Sequence, residues 1–212
     1  MEFKKIQLNG FKSFAEKTNF LIEDGLTGIV GPNGCGKSNI VESLRWVMGE
    51  TSAKSMRGSG MEDVIFSGTS NKASKNIAEV SIEVENKDKE GPIQYRELEQ
   101  IQVRRKIEKD KGSKFYINDK EVRARDAQMF FADLSTGAHS PSMISQGRIG
   151  ALVTAKPTDR RAILEEAAGI SGLHVRRHEA ELRLGAAENN VKRADELRRH
   201  QEKPLANLQK QA

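Results

Sequence analysis

Cysteine is nearly absent. Cys35 is the one cysteine in 212 residues, so no disulfide can form within the chain, and a reducing, cytoplasmic setting is expected. Long apolar runs are missing too. No stretch approaches membrane-spanning length, and the opening MEFKKIQLNGFKSF lacks the apolar core of a signal peptide. Nor is there a strong excess of one charge. Thirty-five basic residues face 30 acidic ones, for a net charge of +5. That balance permits contact with nucleic acid without demanding it. Apolar residues make up 36% and charged residues 31%, which suits a globular core joined to a strongly solvated segment, such as a long polar helix.

Short strands are predicted over residues 1–30. Phe3, Ile6 and Leu8 form one, Phe20 and Ile22 begin a second, and Leu26–Val30 forms a third after a turn at Asp24-Gly25. A helix should follow, with Ile40, Val41, Leu44, Val47 and Met48 on one face and Gly49 as its C-terminal cap. Residues 51–62 are polar and Gly/Ser-rich and read as a loop. Ala78, Val80, Ile82 and Val84 alternate with polar residues, the mark of a half-buried strand. A hairpin is expected over 100–118, turning at Asp110-Lys111-Gly112, and a helix over 124–134.

Residues 135–150 read as loop, and helical character resumes after Pro157. Beyond about residue 173 glycine nearly vanishes and a heptad emerges. One seam position holds Leu184, Val191, Arg198 and Leu205. The other holds Leu173, Ala180, Ala187, Ala194 and Leu208. Residues 173–203 would form a rod of about 45 Å, which Pro204 should kink or end. The alanine-rich seam suits close pairing with a second helix.

Between the predicted strand and the first helix lies Gly31-Pro32-Asn33-Gly34-Cys35-Gly36-Lys37-Ser38, a full match to G-x-x-x-x-G-K-[ST] in its expected strand–loop–helix context. Glycines let backbone N–H groups curl around an anion, and the helix N-terminus faces the same phosphates. Lys37 is expected at the β- and γ-phosphates, and Ser38 at Mg²⁺. Cys35 occupies a variable position and reads as a small filler.

The acidic residue that such a site needs at the end of a buried strand is missing. Met129-Phe130-Phe131-Ala132-Asp133 and Leu164-Glu165-Glu166 both have helical spacing. Asp88-Lys89-Glu90-Gly91 sits in a charged turn, and no N-K-x-D motif follows. The acidic motif and catalytic glutamate are therefore expected on a distant segment or another chain.

Several further motifs stand in order. They are Gly10-Phe11-Lys12-Ser13-Phe14, the loop in its GPNGCGKSN form, Ser55-Met56-Arg57-Gly58, Met61-Glu62-Asp63-Val64-Ile65-Phe66, Ile144-Ser145-Gln146-Gly147 and Arg161–Ile170. Together they resemble the N-terminal head region of the structural maintenance of chromosomes (SMC) family, bacterial type, over essentially the whole chain.

The resemblance implies an α/β fold: the N-terminal lobe of an ABC-type P-loop ATPase, with mixed or antiparallel sheets around the P-loop helix and an emerging coiled-coil helix. Residues 1–170 would be the lobe and 171–212 the start of the outgoing arm. A C-terminal lobe of the same protein would supply the signature motif, the Mg²⁺-binding Asp and the catalytic Glu, so the complete protein would be an ATP hydrolase and this chain alone an incomplete one. ATP and Mg²⁺ are the implied cofactors. Gly31 to Asn39, with Lys12 and Ser13, would line the nucleotide, and Gln146 would touch Mg²⁺ or the attacking water. Arg57 would couple ATP-bound heads to DNA, and Arg123 and Arg125 would lie on a DNA-facing surface.

Implied partners are DNA, a second copy of the protein through heads and hinge, and kleisin and accessory subunits (ScpA/ScpB-like), with no membrane and a nucleoid-associated location. Two alternatives stay open: a head lobe of a DNA-break-repair ATPase, and a non-hydrolysing coiled-coil scaffold.

Overall fold

The computed structural model describes residues 1–87, 89, 91–134, 143–144, 150, 153–168 and 171–211. They fall into two compact units, Met1–Gly172 and Leu173–Ala212.

The first unit is built on a six-stranded sheet. Its strands are β1 (Glu2–Asn9), β2 (Thr18–Leu21), β3 (Ile77–Glu85), β4 (Gln100–Glu108), β5 (Gly112–Ile117) and β6 (Lys120–Val122). They lie in the order β2-β1-β3-β4-β5-β6, and every neighbouring pair is antiparallel. Register puts like with like. Ile6 faces Ile82, Leu8 faces Val80, Ile82 faces Val103 and Val103 faces Ile117. All are buried, so one face of the sheet is continuous core. Lys5, Glu79, Glu83 and Arg104 project from the other face, where Lys5 pairs with Glu83 at 2.9 Å and Arg104 with Glu79 at 3.4 Å.

Against this sheet lie α1 (Lys37–Val47), across β3 and β4, and α2 (Ala124–Asp133), against β5. Gly49 takes the left-handed conformation that ends α1, with φ 105°. The buried face of α1 is rotated from the expected one. Val41 and Leu44 are half-buried, whereas Glu42, Ser43 and Trp46 join Ile40 and Val47 inside. The rotation follows from what meets the helix. Phe11 packs on Trp46 with ring centroids 5.4 Å apart, and charged partners reach Glu42. Within residues 51–62 the polar loop holds two short 3-10 turns, Lys54–Met56 and one beginning at Met61.

The strand expected around Ala78–Val84, the hairpin expected over 100–118 and the helix expected over 124–134 are present, as β3, β4 with β5, and α2. Strand β6 has no counterpart in the sequence reading. Its signal was Asn118-Asp119, both with positive φ (46° and 62°), the geometry of a two-residue hairpin turn. In the other direction, Leu26–Val30 is not a strand. Leu26 is 99% and Val30 94% exposed, and the segment pairs with no strand among the described residues. An apolar strand without a neighbour leaves its backbone groups to water and has nothing to pack against.

After α3 (Pro157–Ala167), the second unit is carried by α4 (Ser171–Gln211), 41 residues long and so about 60 Å. Pro204 does not end it. Proline removes one N–H from the ladder, and the helix continues past it to Gln211. Seam residues Leu184 and Val191 are each 62% exposed. Arg198, the cation in the seam, reaches Asp195 at 3.6 Å and Glu202 at 3.5 Å on its own helix. No helix among the described residues is long and apolar enough to cross a membrane.

Candidate nucleotide-binding site

The glycine-rich loop stands exposed at the N-terminus of α1. Gly34 (φ 83°) and Gly36 (φ 100°) both adopt the left-handed conformation, which side chains rarely tolerate. At Gly34 nothing lies within 4 Å of where a Cβ would stand, so that side of the loop is open. At Gly36 a Cβ would meet Ser13 Oγ at 2.5 Å. The loop therefore needs glycine for two reasons, curvature at both positions and close approach at the second.

Lys37 Nζ donates to the carbonyls of Gly31 and Pro32, each at 2.6 Å. The lysine thus folds back over the loop it follows. Asn39 Nδ2 donates to Ser13 Oγ at 2.9 Å, which ties the turn after β1 to the loop. Ser38 lies exposed in the first turn of α1. A glycine-rich loop, a helix N-terminus, the Lys37 ammonium and the Ser38 hydroxyl, neighbours at the head of α1, are the donor set that fits a Mg²⁺-bound polyphosphate.

Beside Ser38 opens a cavity of about 360 Å³ lined by Val41, Glu42, Arg45, Ser55, Arg57 and Ile144. Lys12, expected beside the nucleotide, and Arg57, expected to couple heads to DNA, meet at Glu42. Lys12 Nζ donates to Glu42 Oε2 and to the Met56 carbonyl, the latter at 2.6 Å. Arg57 donates from Nε and Nη2 to Glu42 Oε1. Glu42 is the residue that sequence reasoning missed. Its signal was its place one helical turn beyond Ser38.

The turn after Arg57 is held by Asp63, whose Oδ2 accepts from the N–H groups of Ser59 (2.6 Å) and Gly60 (2.9 Å) and the Ser59 hydroxyl (2.9 Å). The Gly60 N–H first, then the Ser59 hydroxyl and N–H, hold this carboxyl below the usual aspartate range. A depressed folded value means that the contribution is present above the unfolded pKa and is lost as pH falls through the folded one. The amide resonances of Ser59 and Gly60 should therefore titrate together with a midpoint below that of an ordinary aspartate. Asp63→Asn should abolish that titration.

The remaining expected residues are not brought to this site. Arg123 caps α2, with its N–H donating to Asp126 Oδ2 at 3.2 Å, and Arg125 is exposed in the first turn. Helix α2 docks at the opposite end of α1, through Gln128 Nε2 and the Gly49 carbonyl at 2.7 Å, one helix length (about 16 Å) from the loop. Acidic Glu121 and Asp126 share the groove around Arg123. Gln146 lies outside the described residues, although Ile144 lines the cavity. Asp88 and Glu90 also lie outside them. Asp133 and Glu165 are in helices, as their spacing predicted.

An antiparallel sheet backed by a helix whose N-terminus carries this loop defines a P-loop lobe of the ABC type. The sequence model of the RecF/RecN/SMC N terminal domain family matches residues 2–148, and the chain belongs to that family. It is 55% identical over 197 residues to the chromosome partition protein Smc of Cereibacter sphaeroides, covering 93% of this chain and 17% of that protein. The chain thus spans less than a fifth of the length of that relative.

A solved SMC head domain from Pyrococcus furiosus, with an extended coiled coil and bound to the C-terminal domain of ScpA, superposes with a TM-score of 0.73 at 31% identity. The match covers 92% of this chain and 48% of that one. A structure described by ATP-driven dimerization and DNA-stimulated activation of SMC ATPases gives 0.67 at 31% identity, over 79% of this chain and 99% of that one.

Proposed function

We propose that this chain is the ATP-binding lobe of a chromosome-partitioning SMC ATPase, and that it hydrolyses ATP only when a C-terminal lobe completes it. The observation that carries this is the loop itself: Gly34 and Gly36 in left-handed geometry, with Lys37 folded over the loop at the head of α1. In this reading residues 31–39 cradle the phosphates, Lys37 neutralises the terminal ones, and Lys12 and Ser13 flank them. Ser38 and Gln146 hold Mg²⁺, which when bound neutralises charge on the phosphate oxygens.

Residues 1–170 form the lobe and 171–212 the start of the arm. The exposed Leu26–Val30 segment supports a missing neighbour, because an apolar strand of this kind gains pairing and burial when a second lobe docks. The exposed seam of α4 supports a partner helix in the same way.

The partners follow from the relatives. The Pyrococcus furiosus head is bound to ScpA, which supports a kleisin of that kind here, with its accessory subunit. ATP-driven dimerization of an SMC ATPase supports pairing of two heads, and its DNA-stimulated activation supports DNA as the polymer acted upon. Arg57 is the residue best placed to link nucleotide and DNA. Arg123 and Arg125 offer phosphate contacts on a separate surface. A nucleoid-associated, cytoplasmic location follows from that role.

Isothermal calorimetry tests the nucleotide reading. The chain should bind MgATP, alone or with the C-terminal lobe added. No measurable affinity in either case would instead favour a scaffold with a vestigial loop.

A further inference from the structure

Two cations of the site converge on one buried carboxylate. Glu42 lies four residues after Ser38 on α1, and its side chain is 7% exposed. Its two oxygens are divided, Oε2 to Lys12 and Oε1 to Arg57. Lys12 (φ 47°) and Arg57 (φ 55°) both hold left-handed backbone conformations, which residues other than glycine seldom adopt and which concentrate at functional sites. Lys12 also bonds the carbonyl of Met56, the residue before Arg57. The turn after β1, the helix and the Arg57 loop are therefore locked through one carboxylate.

Arg57 keeps 63% of its side chain exposed, on the cavity that Ser38 also lines. The pairing with Glu42 thus aims its guanidinium without hiding it. A carboxylate needed only to neutralise buried charge would be satisfied by the more enclosed Lys12, whose side chain is 14% exposed.

We infer that Glu42 is a positioning residue. It sets Lys12 and Arg57 side by side, one helical turn beyond Ser38, so that nucleotide phosphates meet both cations in a preset geometry. This rests on the nucleotide reading above. The neighbouring hydrogen bonds that Asp63 accepts from the Ser59 and Gly60 N–H groups hold the rest of the Arg57 turn, so Glu42 is needed to fix the side chain and not to fold the loop.

A double-mutant cycle on MgATP affinity tests it. Glu42→Gln keeps side-chain volume and removes the charge. It should weaken binding about tenfold, the effect of one charged hydrogen-bond arrangement. Arg57→Gln should cost no more than that, because Lys12 keeps its carboxylate, and the double variant should be no weaker than Glu42→Gln alone. Glu42→Asp, which keeps the charge, should recover part of the loss.

Unchanged or tighter binding in Glu42→Gln overturns the inference, as does a double variant whose losses multiply. A wild-type chain without MgATP affinity, even with the C-terminal lobe added, overturns the nucleotide reading and this inference with it. Should Glu42→Gln fail to fold, the cycle is run on Lys12→Gln and Arg57→Gln. Their shared carboxylate makes their losses non-additive, and additive losses overturn the assignment.

Discussion

Replacing Lys37 with alanine should remove MgATP binding while leaving the fold intact. The ammonium is the one side-chain cation of the loop itself, and among the described residues it hydrogen-bonds only loop groups: the Gly31 and Pro32 carbonyls at 2.6 Å and Cys35 Sγ at 3.9 Å. None of these belongs to the buried core. A charge-assisted contact to phosphate is roughly twice as strong as a neutral hydrogen bond, and Lys37 is placed to make more than one. The expected loss is at least about 100-fold in affinity. The melting temperature should stay within about 2 °C, because exposed loop substitutions change stability little. Calorimetry and thermal denaturation on the same preparation read both effects. A large fall in melting temperature would assign Lys37 a structural role.

Arg105 is expected to behave in the opposite way. It lies in β4 and is 3% exposed, on the core face of the sheet between Val80 and Phe115. Nη1 donates to the carbonyls of Trp46 and Glu50, both at 2.7 Å, and Nε donates to Ser113 Oγ at 2.7 Å. The guanidinium is stacked on the rings of Trp46 (4.5 Å) and Phe115 (4.6 Å). It thereby adds a donor to two carbonyls at and just past the C-terminal end of α1, the Trp46 carbonyl being shared with the Gly49 N–H at 3.1 Å. Burial pushes its pKa down to about 10, with Glu50 opposing the shift, so the cation persists at neutral pH.

Truncation to alanine opens a cavity and removes the guanidinium's hydrogen bonds to two carbonyls and the Ser113 hydroxyl together. The expected cost is about 3–5 kcal/mol. Arg105→Lys keeps the charge but not the planar fork, and should recover only part of that. Denaturant unfolding measures both variants. Loss of less than about 1 kcal/mol in the alanine variant would show that the stacking and hydrogen bonds carry little net stability.

These two residues also show what the sequence could and could not reveal. Lys37 was legible because the chemistry of a phosphate loop dictates both its residue types and their spacing, and its flanking pattern agreed. Strand β3 was legible because Ala78, Val80, Ile82 and Val84 keep strict period two. Arg105 breaks the same period in β4, in line with Ile101, Val103 and Ile107. A lone sequence reads such a break as a surface residue. Only the arrival of Trp46 and the end of α1 over that spot makes an arginine the fitting side chain.

Glu42 was hidden for a similar reason, since both its partners come from distant loops, 30 and 15 residues away. Leu26–Val30 had strand composition and lacks strand structure, because composition cannot supply a neighbour. Pro204 was read as a breaker, yet the helix continues through it. The residues expected to touch DNA are divided between two places. Arg57 is drawn to the site by Glu42, whereas Arg123 and Arg125 sit at the other end of α1, beside acidic neighbours.

On the function proposed above, the loop binds nucleotide here and hydrolysis waits for residues of a C-terminal lobe. Among the described residues, none of this chain's carboxylates lies at the end of a buried strand beside the loop, and Glu42 is already engaged by two cations. The direct measurement is the rate of ATP hydrolysis by this chain alone and after addition of a separately expressed C-terminal lobe. Background turnover is expected from the chain alone, and a clear rise on addition. That rise should vanish when the chain carries Lys37→Ala. Robust turnover by the isolated chain would contradict the proposed function.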